Sequence, residues 1–345
     1  MEDGIKVSVL MPSLNVAKYI RQCLDSVIGQ TLAEIEILCI DAGSDDGTLE
    51  ILREYERNDS RVRVLLSDKK SYGYQMNLGL NAARGRYIGI VETDDWAEPD
   101  MFEKLYQAAV SHDADVVWSN FYSYKTSSGE NNEFFENLEG CVYGELTNAY
   151  ESELFRIMPS IWTGVYKKRF LESEHIRFNE TPGASYQDAS FHLMVCSAAD
   201  KVVLLKNAYL HYRRDNENSS VNTEGKVYCV CDEMHYLEHY AELYGKNKDR
   251  LFRVYYPLKF SKYIWNFNRI GIRSQRKFLS VMREEFLQHE KNGCLREENF
   301  SPNSWRLLQQ VLHQPLRFYL AYCKGPGVLV TARNAWFTRK GGKIV

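Results

Sequence analysis

The chain has 345 residues, a length that predicts two domains or one domain with a long extension. Apolar residues make up 44 % of the chain, and its 23 Tyr, 16 Phe and 6 Trp exclude an intrinsically disordered protein, which lacks so many aromatic side chains. The formal net charge is −3, so the composition excludes a protein that binds nucleic acid through its overall charge.

The cysteines and the N-terminus indicate a reducing, cytoplasmic setting. None of the eight cysteines forms a CxxC pair, and Cys23 and Cys39 lie within apolar patterns, where a thiol behaves as a small buried hydrophobe. The N-terminal sequence MEDGIKVSVLMP is acidic with a short apolar run, unlike a secretory signal. No apolar stretch is long enough to span a membrane. We expect a soluble cytoplasmic protein, or one that is peripheral at the inner face of the membrane.

The first 125 residues contain five apolar runs at regular intervals. They start 26 to 30 residues apart, near Ile5, Ile35, Arg61, Tyr87 and Asp115. Segments with helical spacing lie between the runs, at 17–29, 46–58, 74–84 and 100–112. Runs rich in β-branched residues that alternate with helices predict a mostly parallel sheet sandwiched by helices. In such sheets ligands bind at the carboxyl ends of the strands.

The rest of the chain follows a different pattern. Residues 125–150 are polar and predict an excursion from the sheet. A second apolar region runs from about 156 to 214, and from about residue 225 the pattern is mostly helical and rich in Tyr, Phe, Lys and Arg. We therefore predict an α/β domain over 1–220 and a mainly helical C-terminal region over 221–345.

Polar residues follow three of the predicted strands at the point where each strand ends. The segments are MPSLN with Pro12, Ser13 and Asn15, DAGSDDGT over 41–48, and ETDDW over 92–96. Because the carboxyl ends of parallel strands share one edge, these loops predict a common ligand site. Each loop also has a purely structural interpretation. SDDGT is a good helix N-cap, and Asp94 or Asp95 can cap a helix whose first turn contains Pro99.

The segment after the fourth strand carries three carboxylates, Glu92, Asp94 and Asp95, within four positions. Carboxylates this close repel one another unless a positive charge lies between them. Either the segment is a solvated turn that caps a helix, or it holds a cation; Mg²⁺ typically combines one or two carboxylates with substrate phosphates. There is neither a G-x-G-x-x-G after the first strand nor a Walker loop, so dinucleotide-fold and P-loop sites are not supported.

Four segments together resemble the family-2 glycosyltransferases of GT-A fold. They are VSVLMPSLN, IDAGSDDGT, MNLGLNAARGRYIGIVETDDW and YQDASF. The resemblance covers 5–125 strongly, 155–215 weakly and 225–345 not at all. It implies a nucleotide-binding half over about 1–125 and an acceptor half over about 126–220. It also implies inverting transfer of a sugar from a nucleoside diphosphate, usually UDP, to a saccharide or lipid-linked acceptor, with Mn²⁺ or Mg²⁺ as cofactor, as in cell-envelope polysaccharide biosynthesis.

The resemblance assigns roles to the loop residues by their position in the motifs. Asp41 would bind the base through its carboxylate. The nucleotide pocket would be lined by Pro12, Ser13, Asn15, Gly43 and Ser44. Asp94 would lie at the ribose and the metal–diphosphate, and Asp95 would be the first metal ligand.

Three residues depart from the family pattern near this site. Glu92 takes the place of the first Asp of the acidic motif, so it keeps a carboxylate that is displaced by one methylene and can contact substrate. Ala42 replaces a second Asp in the base-binding loop, and Met76 stands where many members have Arg. The phosphate contact would then come from another cation: Lys69, Lys70 or Arg84.

Asp188, in YQDASFH, is the predicted catalytic base. The family often has two acids here, and its second acid accepts the acceptor's proton; the first position is Gln187 in this chain, a candidate substrate contact. A general base needs one carboxylate within hydrogen-bond reach of the acceptor hydroxyl, so Asp188 alone suffices for a single displacement at the anomeric carbon. The alternative is that Asp188 caps a helix beginning at residue 189, and the two roles are compatible.

Four further residues are candidate substrate contacts, each with a structural alternative. Trp96 and Trp162 would stack on sugar rings or belong to the core. His211 and Arg213 end an apolar strand in HYRRDNENSS. They would touch the diphosphate or form a solvated strand end.

Other function classes stay open. The departures from the family pattern favour a non-catalytic nucleotide-sugar-binding protein on the same fold. HYLEH, with His235, Glu238 and His239, matches the H-x-x-E-H of inverted zinc peptidases, although an ordinary amphipathic helix explains the same residues. The basic and aromatic stretch YYPLKFSKYIWNFNRIGIRSQRKF is open to four interpretations: helical packing, a peripheral membrane patch, an acceptor platform or a partner surface.

Overall fold

A computed structural model describes residues 4–126, 131–150, 153–216, 226–245 and 248–322. By its internal contacts the chain separates into two compact units. One unit is Met1–Asn222 with His235–Lys246, and the other is Thr223–Met234 with Asn247–Val345. The predicted domain boundary at residue 220 and the functional halves of the sheet domain stay predictions.

The first unit alternates strands and helices. Its strands are β1 (Val7–Ser13), β2 (Ile35–Asp41), β3 (Val62–Leu66), β4 (Tyr87–Ile90), β5 (Trp96–Ala97), β6 (Val116–Lys125), β7 (Asn131–Phe135), β8 (Leu146–Thr147), β9 (Gly164–Lys167) and β10 (Val202–Arg213). Its helices are α1 (Ile20–Ile28), α2 (Thr48–Asn58), α3 (Tyr72–Ala82), α4 (Met101–Ser111), α5 (Lys168–Ser173) and α6 (Gln187–Ala198). The four helices predicted before residue 113 are all present, because each has an apolar face at helical spacing, such as Ile20, Cys23, Leu24 and Val27 in α1.

The strands form one mixed sheet. Their order is β3-β2-β1-β4-β9-β6-β10-β5, with β7 on β6 and β8 on β10. The first four strands are mutually parallel, as predicted, and β6 is parallel to β10. β9 lies between β4 and β6 and is antiparallel to both. The periodicity of the sequence does not predict this direction, because the path of the preceding connection decides it. The polar segment predicted as an excursion carries β7 and β8.

Strand register brings the predicted loops to one edge. β1 and β2 pair in parallel and end together at Ser13 and Asp41. β4 pairs with the other side of β1, with Leu10 opposite Ile90. The chain segments that follow β1, β2 and β4 therefore leave the sheet side by side.

The opposite edge is held by Glu36, whose side chain is buried. Its carboxylate accepts hydrogen bonds from Ser8 Oγ at 2.6 Å, from the Arg84 backbone N–H at 2.6 Å and from Arg63 Nη1 at 3.0 Å. Arg84 adds its Nε at 3.0 Å. Arg84 thus lies at the amino ends of the strands and neutralises Glu36. It does not reach the edge that carries the loops, so the prediction of Arg84 as a phosphate contact is wrong.

α3 fixes the segment that leads to Asp188. The Asn77 side chain exchanges hydrogen bonds with the backbone of Phe178, at 2.9 Å and 3.0 Å. Ser71 caps α3 and donates from Oγ to the carbonyl oxygen of Thr181 at 2.7 Å. A Cβ at Gly73 would lie 1.8 Å from the Asn179 carbonyl oxygen, so only glycine permits this close approach.

The helix α7 (Cys229–Tyr244) contributes residues to both units, and the second unit is mainly helical over its described residues. Its further helices are α8 (Lys248–Arg269), α9 (Ile272–Lys291), α10 (Pro302–His313) and α11 (Pro315–Tyr322). A buried Lys259 on α8 contacts Glu285 at 2.9 Å and His289 at 3.0 Å on α9. Among the described residues, no helix combines the length and apolar character needed to cross a bilayer.

Candidate active site

The loops after β1 and β2 are bonded to each other. Asn15 has a left-handed backbone with φ 55°, and its backbone N–H donates to Ser44 Oγ at 2.9 Å. Its side-chain oxygen accepts from the Asp45 N–H at 2.9 Å, and Asp46 accepts from the Ala17 N–H. The structure therefore brings together the predicted residues Asn15 and Ser44 at the expected edge.

Asp41 is buried and shapes its own loop. Its carboxylate accepts hydrogen bonds from Ser44 Oγ at 2.6 Å and from the N–H groups of Gly43 and Ser44 at 2.9 and 3.0 Å. Ser13 Oγ lies 3.3 Å away. Gly43 has φ 79°, which explains a glycine at this turn. Both oxygens are thus engaged within the protein, and contact with a base would exchange one of these bonds.

Two polar residues that the sequence analysis did not single out tie the strand ends. Gln75, buried on α3, donates from Nε2 to the carbonyl oxygens of Ser13 at 2.9 Å and Ile40 at 2.6 Å. Thr93 donates from Oγ1 to the carbonyl oxygen of Pro12 at 2.8 Å. In the sequence, Gln75 is a polar residue in a weakly amphipathic helix, and nothing else in its local context indicates that it is buried. These bonds satisfy carbonyl groups where the sheet ladder stops.

The acidic turn after β4 places one carboxylate oxygen in an unusual environment. Asp95 is 1 % exposed, and its Oδ1 accepts from the Arg213 backbone N–H at 2.8 Å. Its Oδ2 is buried and accepts no hydrogen bond from the part of the chain that the structure describes. Burial and then the nearby charge of Asp94 raise the pKa of Asp95 well above its ordinary value. An unpartnered buried carboxylate oxygen is energetically unfavourable unless a ligand completes it.

Asp94 and Glu92 flank this carboxylate in different ways. Asp94 Oδ2 accepts from Asn216 Nδ2 at 2.8 Å. Glu92 Oε1 accepts from the Tyr72 hydroxyl of α3 at 2.6 Å. Loss of hydration raises the pKa of Glu92 to about 8, and the charges of Asp94 and Asp188 add to this. Glu92 is therefore directed to α3, whereas Asp94 remains beside Asp95.

Arg213 lies inside the protein and holds the acidic turn. Its Nε donates to the Asp94 carbonyl oxygen at 2.9 Å and its Nη2 to Gln22 Oε1 at 2.8 Å, while Nη1 lies 3.4 Å from Thr126 Oγ1. The guanidinium also lies over three rings at 4.9 to 5.1 Å, those of Tyr19, Trp96 and Tyr124. This burial excludes the solvated strand end as an interpretation. These contacts use one N–H of each guanidinium nitrogen and hold Arg213 against the acidic turn; its contact with a diphosphate stays a prediction.

His211 and Trp96 form a stack next to this arginine. The two rings are 4.6 Å apart and nearly parallel, and Tyr122 covers His211 at 4.8 Å. His211 Nε2 lies 2.8 Å from Glu98 Oε1, and Nδ1 lies 2.9 Å from Asn132 Oδ1. Burial lowers the pKa of His211 despite Glu98. His211 is thus enclosed by protein groups, and Trp96 packs on His211 as part of a structural cluster.

Trp162 belongs to the core, in line with its structural alternative. It is 7 % exposed, stacks on Tyr212 at 5.0 Å and meets Phe121 edge-on at 4.8 Å. Such packing explains its sequence position without a sugar ligand.

Gln187 and Asp188 begin α6 and have different surroundings. Gln187 is buried; its Nε2 donates to Thr181 Oγ1 at 2.9 Å and to the Gly183 carbonyl oxygen at 3.1 Å. Asp188 is partly exposed and lies in the first turn of α6, after the N-cap residue Tyr186, so it does not cap a helix that begins at residue 189; its carboxylate accepts from the Ala189 N–H at 2.8 Å. After burial and the charge of Asp94, the charge of Asp188 also raises the pKa of Glu92. The structure thus brings Asp188 near the acidic turn, while Gln187 supports the preceding loop.

The donor set fits a hard divalent cation but not zinc. In the described ranges, no group of three or more His, Cys, Asp and Glu side chains is arranged to hold a metal ion. Among the described residues, His235 and His239 therefore have no third protein ligand of the kind that a zinc site needs. Mg²⁺ and Mn²⁺ can instead combine one or two carboxylates with waters and substrate oxygens. The unpartnered Oδ2 of Asp95, beside Asp94, matches that requirement.

Comparison with known proteins places the chain among sugar transferases. The family model for glycosyl transferase family 2 matches residues 8–180. The chain is 32 % identical over 240 residues to glycosyltransferase GlyA of Streptococcus pneumoniae serotype 4, covering 66 % of this chain and 34 % of GlyA. It is 31 % identical over 220 residues to the uncharacterized glycosyltransferase EpsJ of Bacillus subtilis, covering 62 % of each chain. The match thus spans about a third of GlyA and under two thirds of EpsJ.

Solved structures share the fold. Staphylococcus aureus TarS 1–349, in complex with UDP-GlcNAc, superposes with a TM-score of 0.73 at 18 % identity, covering 89 % of this chain and 87 % of that one. The same TarS fragment in complex with UDP gives a TM-score of 0.61 at 17 % identity, covering 90 % and 92 %. At this level of identity the likeness establishes the fold. The predicted α/β class with a helical C-terminal region is confirmed.

Proposed function

The chain belongs to the family-2 glycosyltransferases, and from this membership we propose that it transfers a sugar from a UDP-linked donor, with inversion, to a saccharide or lipid-linked hydroxyl. The observation that carries the proposal is the buried, unpartnered Oδ2 of Asp95 at the edge where the β1 and β2 loops meet. The UDP and UDP-GlcNAc complexes of TarS support the choice of a uridine nucleotide. Asn15, Asp41 and Ser44, which line the same edge, would hold the nucleoside.

Asp95 and Asp94 would hold the Mn²⁺ or Mg²⁺ cofactor together with the donor's diphosphate. When bound, the ion would neutralise the negative charge that develops on the departing diphosphate. The protein's own part is to keep the two carboxylates in place. The Arg213 backbone N–H orients Asp95, and Asn216 orients Asp94.

Asp188 would act as the general base. The acceptor oxygen would form a bond to the anomeric carbon while the carbon–oxygen bond to the diphosphate breaks, and the acceptor's proton would pass to the Asp188 carboxylate. Its place at the start of α6, beside Glu92, supports this role. Gln187 stands at the first acidic position of the family's pair, and the reaction needs only the second carboxylate, that of Asp188. Gln187 instead supports the 181–185 loop.

A thermal-shift experiment tests the donor site. We expect UDP and Mn²⁺ together to raise the melting temperature, because only ligands that bind the folded state stabilise it, and either one alone to act weakly. No stabilisation by the pair would contradict the donor site.

Release of UDP from nucleotide sugars tests catalysis against mere binding. Asp188→Asn should lower transfer and donor hydrolysis about 10²- to 10⁴-fold while UDP binding persists. If the unsubstituted protein binds UDP but turns over no donor, the alternative of a non-catalytic nucleotide-sugar-binding protein is supported. The hydrogen bonds that Ser44 and Gly43 donate to Asp41 are compatible with either function.

A further inference from the structure

The small net charge of the chain conceals two units of opposite charge. The helical unit contains 20 Lys and Arg and 9 Asp and Glu, which gives it a net charge of +11; it comprises Thr223–Met234 and Asn247–Val345. The sheet unit contains 23 Lys and Arg against 37 Asp and Glu, a net charge of −14. Such asymmetry between parts of one chain points to a partner of negative charge for the basic unit.

Much of the positive charge lies in two stretches without an acidic residue, and the carboxylates of α9, Glu284, Glu285 and Glu290, follow the first of them. Residues 250–283 contain nine Lys and Arg and no Asp or Glu, and 299–322 add Arg306 and Arg317, again with no acidic residue. These stretches include most of α8, the first half of α9, and α10 and α11. Lys259 is buried and paired with Glu285, so the exposed positive charge of these stretches comes from other residues, Arg273, Arg276 and Arg317 among them.

The same helices expose apolar side chains. Leu316 and Leu320, one turn apart on α11, are 69 % and 53 % exposed, and Ile272 at the start of α9 is 57 % exposed. α11 packs on α9 and α10, and its Phe318 meets Phe267 of α8 at 5.4 Å. The buried Phe318 thus places α11 beside the end of α8, while Leu316 and Leu320 remain exposed.

We call this surface the basic apolar face. It consists of Trp265, Ile272, Arg273, Arg276, Leu316, Arg317 and Leu320. Arg273, Arg276 and Arg317 are exposed, and Trp265 is 41 % exposed. A surface that alternates exposed aliphatic and cationic side chains has the composition of a segment that lies in a membrane interface.

We propose that the basic apolar face binds the surface of an anionic lipid bilayer. The aliphatic side chains would enter the boundary between headgroups and acyl chains, and the arginines would contact lipid phosphates. This inference concerns the helical unit alone and is independent of the transfer reaction. It deepens one of the four interpretations of the basic, aromatic stretch by naming the residues that face the lipid.

Two other partners fit the observations less well. A nucleic acid would match the charge, but its phosphates gain nothing from exposed leucines, and its bases stack on aromatic rings. A second copy of the same face would bring its arginines against Arg273, Arg276 and Arg317, between two units of net charge +11 each. A bilayer alone satisfies the cationic and the aliphatic side chains at once.

Co-sedimentation of the full chain with large unilamellar vesicles tests the proposal. We expect the chain to bind vesicles of phosphatidylcholine in which about one lipid in three is the anionic phosphatidylglycerol. Binding to vesicles of pure phosphatidylcholine should be at least about tenfold weaker. Leu316→Ser with Leu320→Ser should weaken binding about tenfold. Arg273→Glu with Arg276→Glu should weaken it about tenfold or more.

Matched controls separate this face from general electrostatics. Lys291→Glu with Arg296→Glu makes the same charge change at the far end of α9, roughly 20 Å away, and should have a much smaller effect. Val142→Ser with Leu243→Ser removes two equally exposed apolar side chains elsewhere and should have none. Circular dichroism confirms that each variant is folded before it is scored.

Three results would overturn the proposal. Equal binding to neutral vesicles would remove the role of lipid charge. Unchanged binding of the two-leucine variant would remove the apolar contact. Tighter binding to a single-stranded oligonucleotide than to vesicles, or salt-sensitive self-association by sedimentation velocity in which vesicles do not compete, would identify a nucleic acid or a second copy as the partner.

Discussion

The backbone N–H of Arg213 donates a 2.8 Å hydrogen bond to Oδ1 of Asp95, although 118 residues separate them along the chain. The Arg213 side chain also donates from Nε to the carbonyl oxygen of Asp94. The end of β10 thus holds the acidic turn after β4 through both backbone and side chain. Oδ2 of Asp95 remains as the oxygen to which a ligand would bind.

Arg213→Lys should lower the free energy of unfolding by about 2–4 kcal/mol, because lysine keeps the charge but loses the planar fork that reaches Asp94 and Gln22. The looser turn should also shrink the stabilisation by UDP with Mn²⁺. Urea denaturation and thermal shift measure the two effects. The exposed neighbour provides the control, Arg214→Lys. If Arg213→Lys weakened UDP binding without any loss of stability, direct contact with phosphate would replace the positioning role.

Asp95→Asn should have opposite effects on stability and on ligand binding. Removing an unpartnered buried charge should raise the free energy of unfolding by about 1–2 kcal/mol, while the neutral amide should abolish the Mn²⁺-dependent part of UDP stabilisation. Melting curves with and without UDP and Mn²⁺ report both. Asp100→Asn, at the start of α4, is the control and should change neither. A stabilised variant that still requires Mn²⁺ for UDP binding would exclude Asp95 as a metal ligand.

Asp188→Asn should lower the turnover number about 10²- to 10⁴-fold, the range expected when a general base is removed. UDP affinity should be unchanged, since the proposed role concerns the acceptor. Asp200→Asn, an exposed change of the same kind beyond the C-terminus of α6, serves as the control. Initial rates of UDP release at saturating donor measure the loss. Full activity of Asp188→Asn would reduce Asp188 to a residue of the helix start.

Glu36→Gln should destabilise the fold by about 2–4 kcal/mol at neutral pH, because the amide presents a donor to Arg84 and Arg63. Burial raises the pKa of Glu36, but hydrogen bonds from Ser8 and Arg84 outweigh burial and leave the pKa below its usual value of 4.5. The unfolded state therefore binds the proton first as the pH falls.

The contribution of Glu36 is consequently present above about pH 4.5 and lost as the pH falls through the folded-state pKa. Urea midpoints of the wild type and Glu36→Gln between pH 3 and 7 should converge at the acidic end. The control is Glu34→Gln two residues earlier, where an exposed pair with Lys6 contributes little. Curves that stay parallel at all pH values would show that the Glu36 charge is not the stabilising feature.

Local sequence was sufficient for much of this protein. Helical periodicity predicted α1 to α4, apolar runs predicted the first four parallel strands, and the motif order predicted the family. The shared edge of Asn15, Asp41 and Asp95 also followed, because parallel strands carry their carboxyl ends to one side. These are short-range patterns, or consequences of one topological rule, and a single sequence contains them.

The tertiary structure decided which polar side chains are satisfied by the protein and which buried oxygen has no partner among the described residues. Arg213 and His211 have the same strand-end context as a ligand contact, yet both are enclosed by aromatic rings. Gln75 and Glu36 find partners 35 and 48 residues away, at Ile40 and Arg84. A side chain's hydrogen-bonding capacity is readable from its type, but its partner is set by which distant strands pack together. Only the assembled sheet reveals that Oδ2 of Asp95 has no hydrogen-bond partner among the described residues.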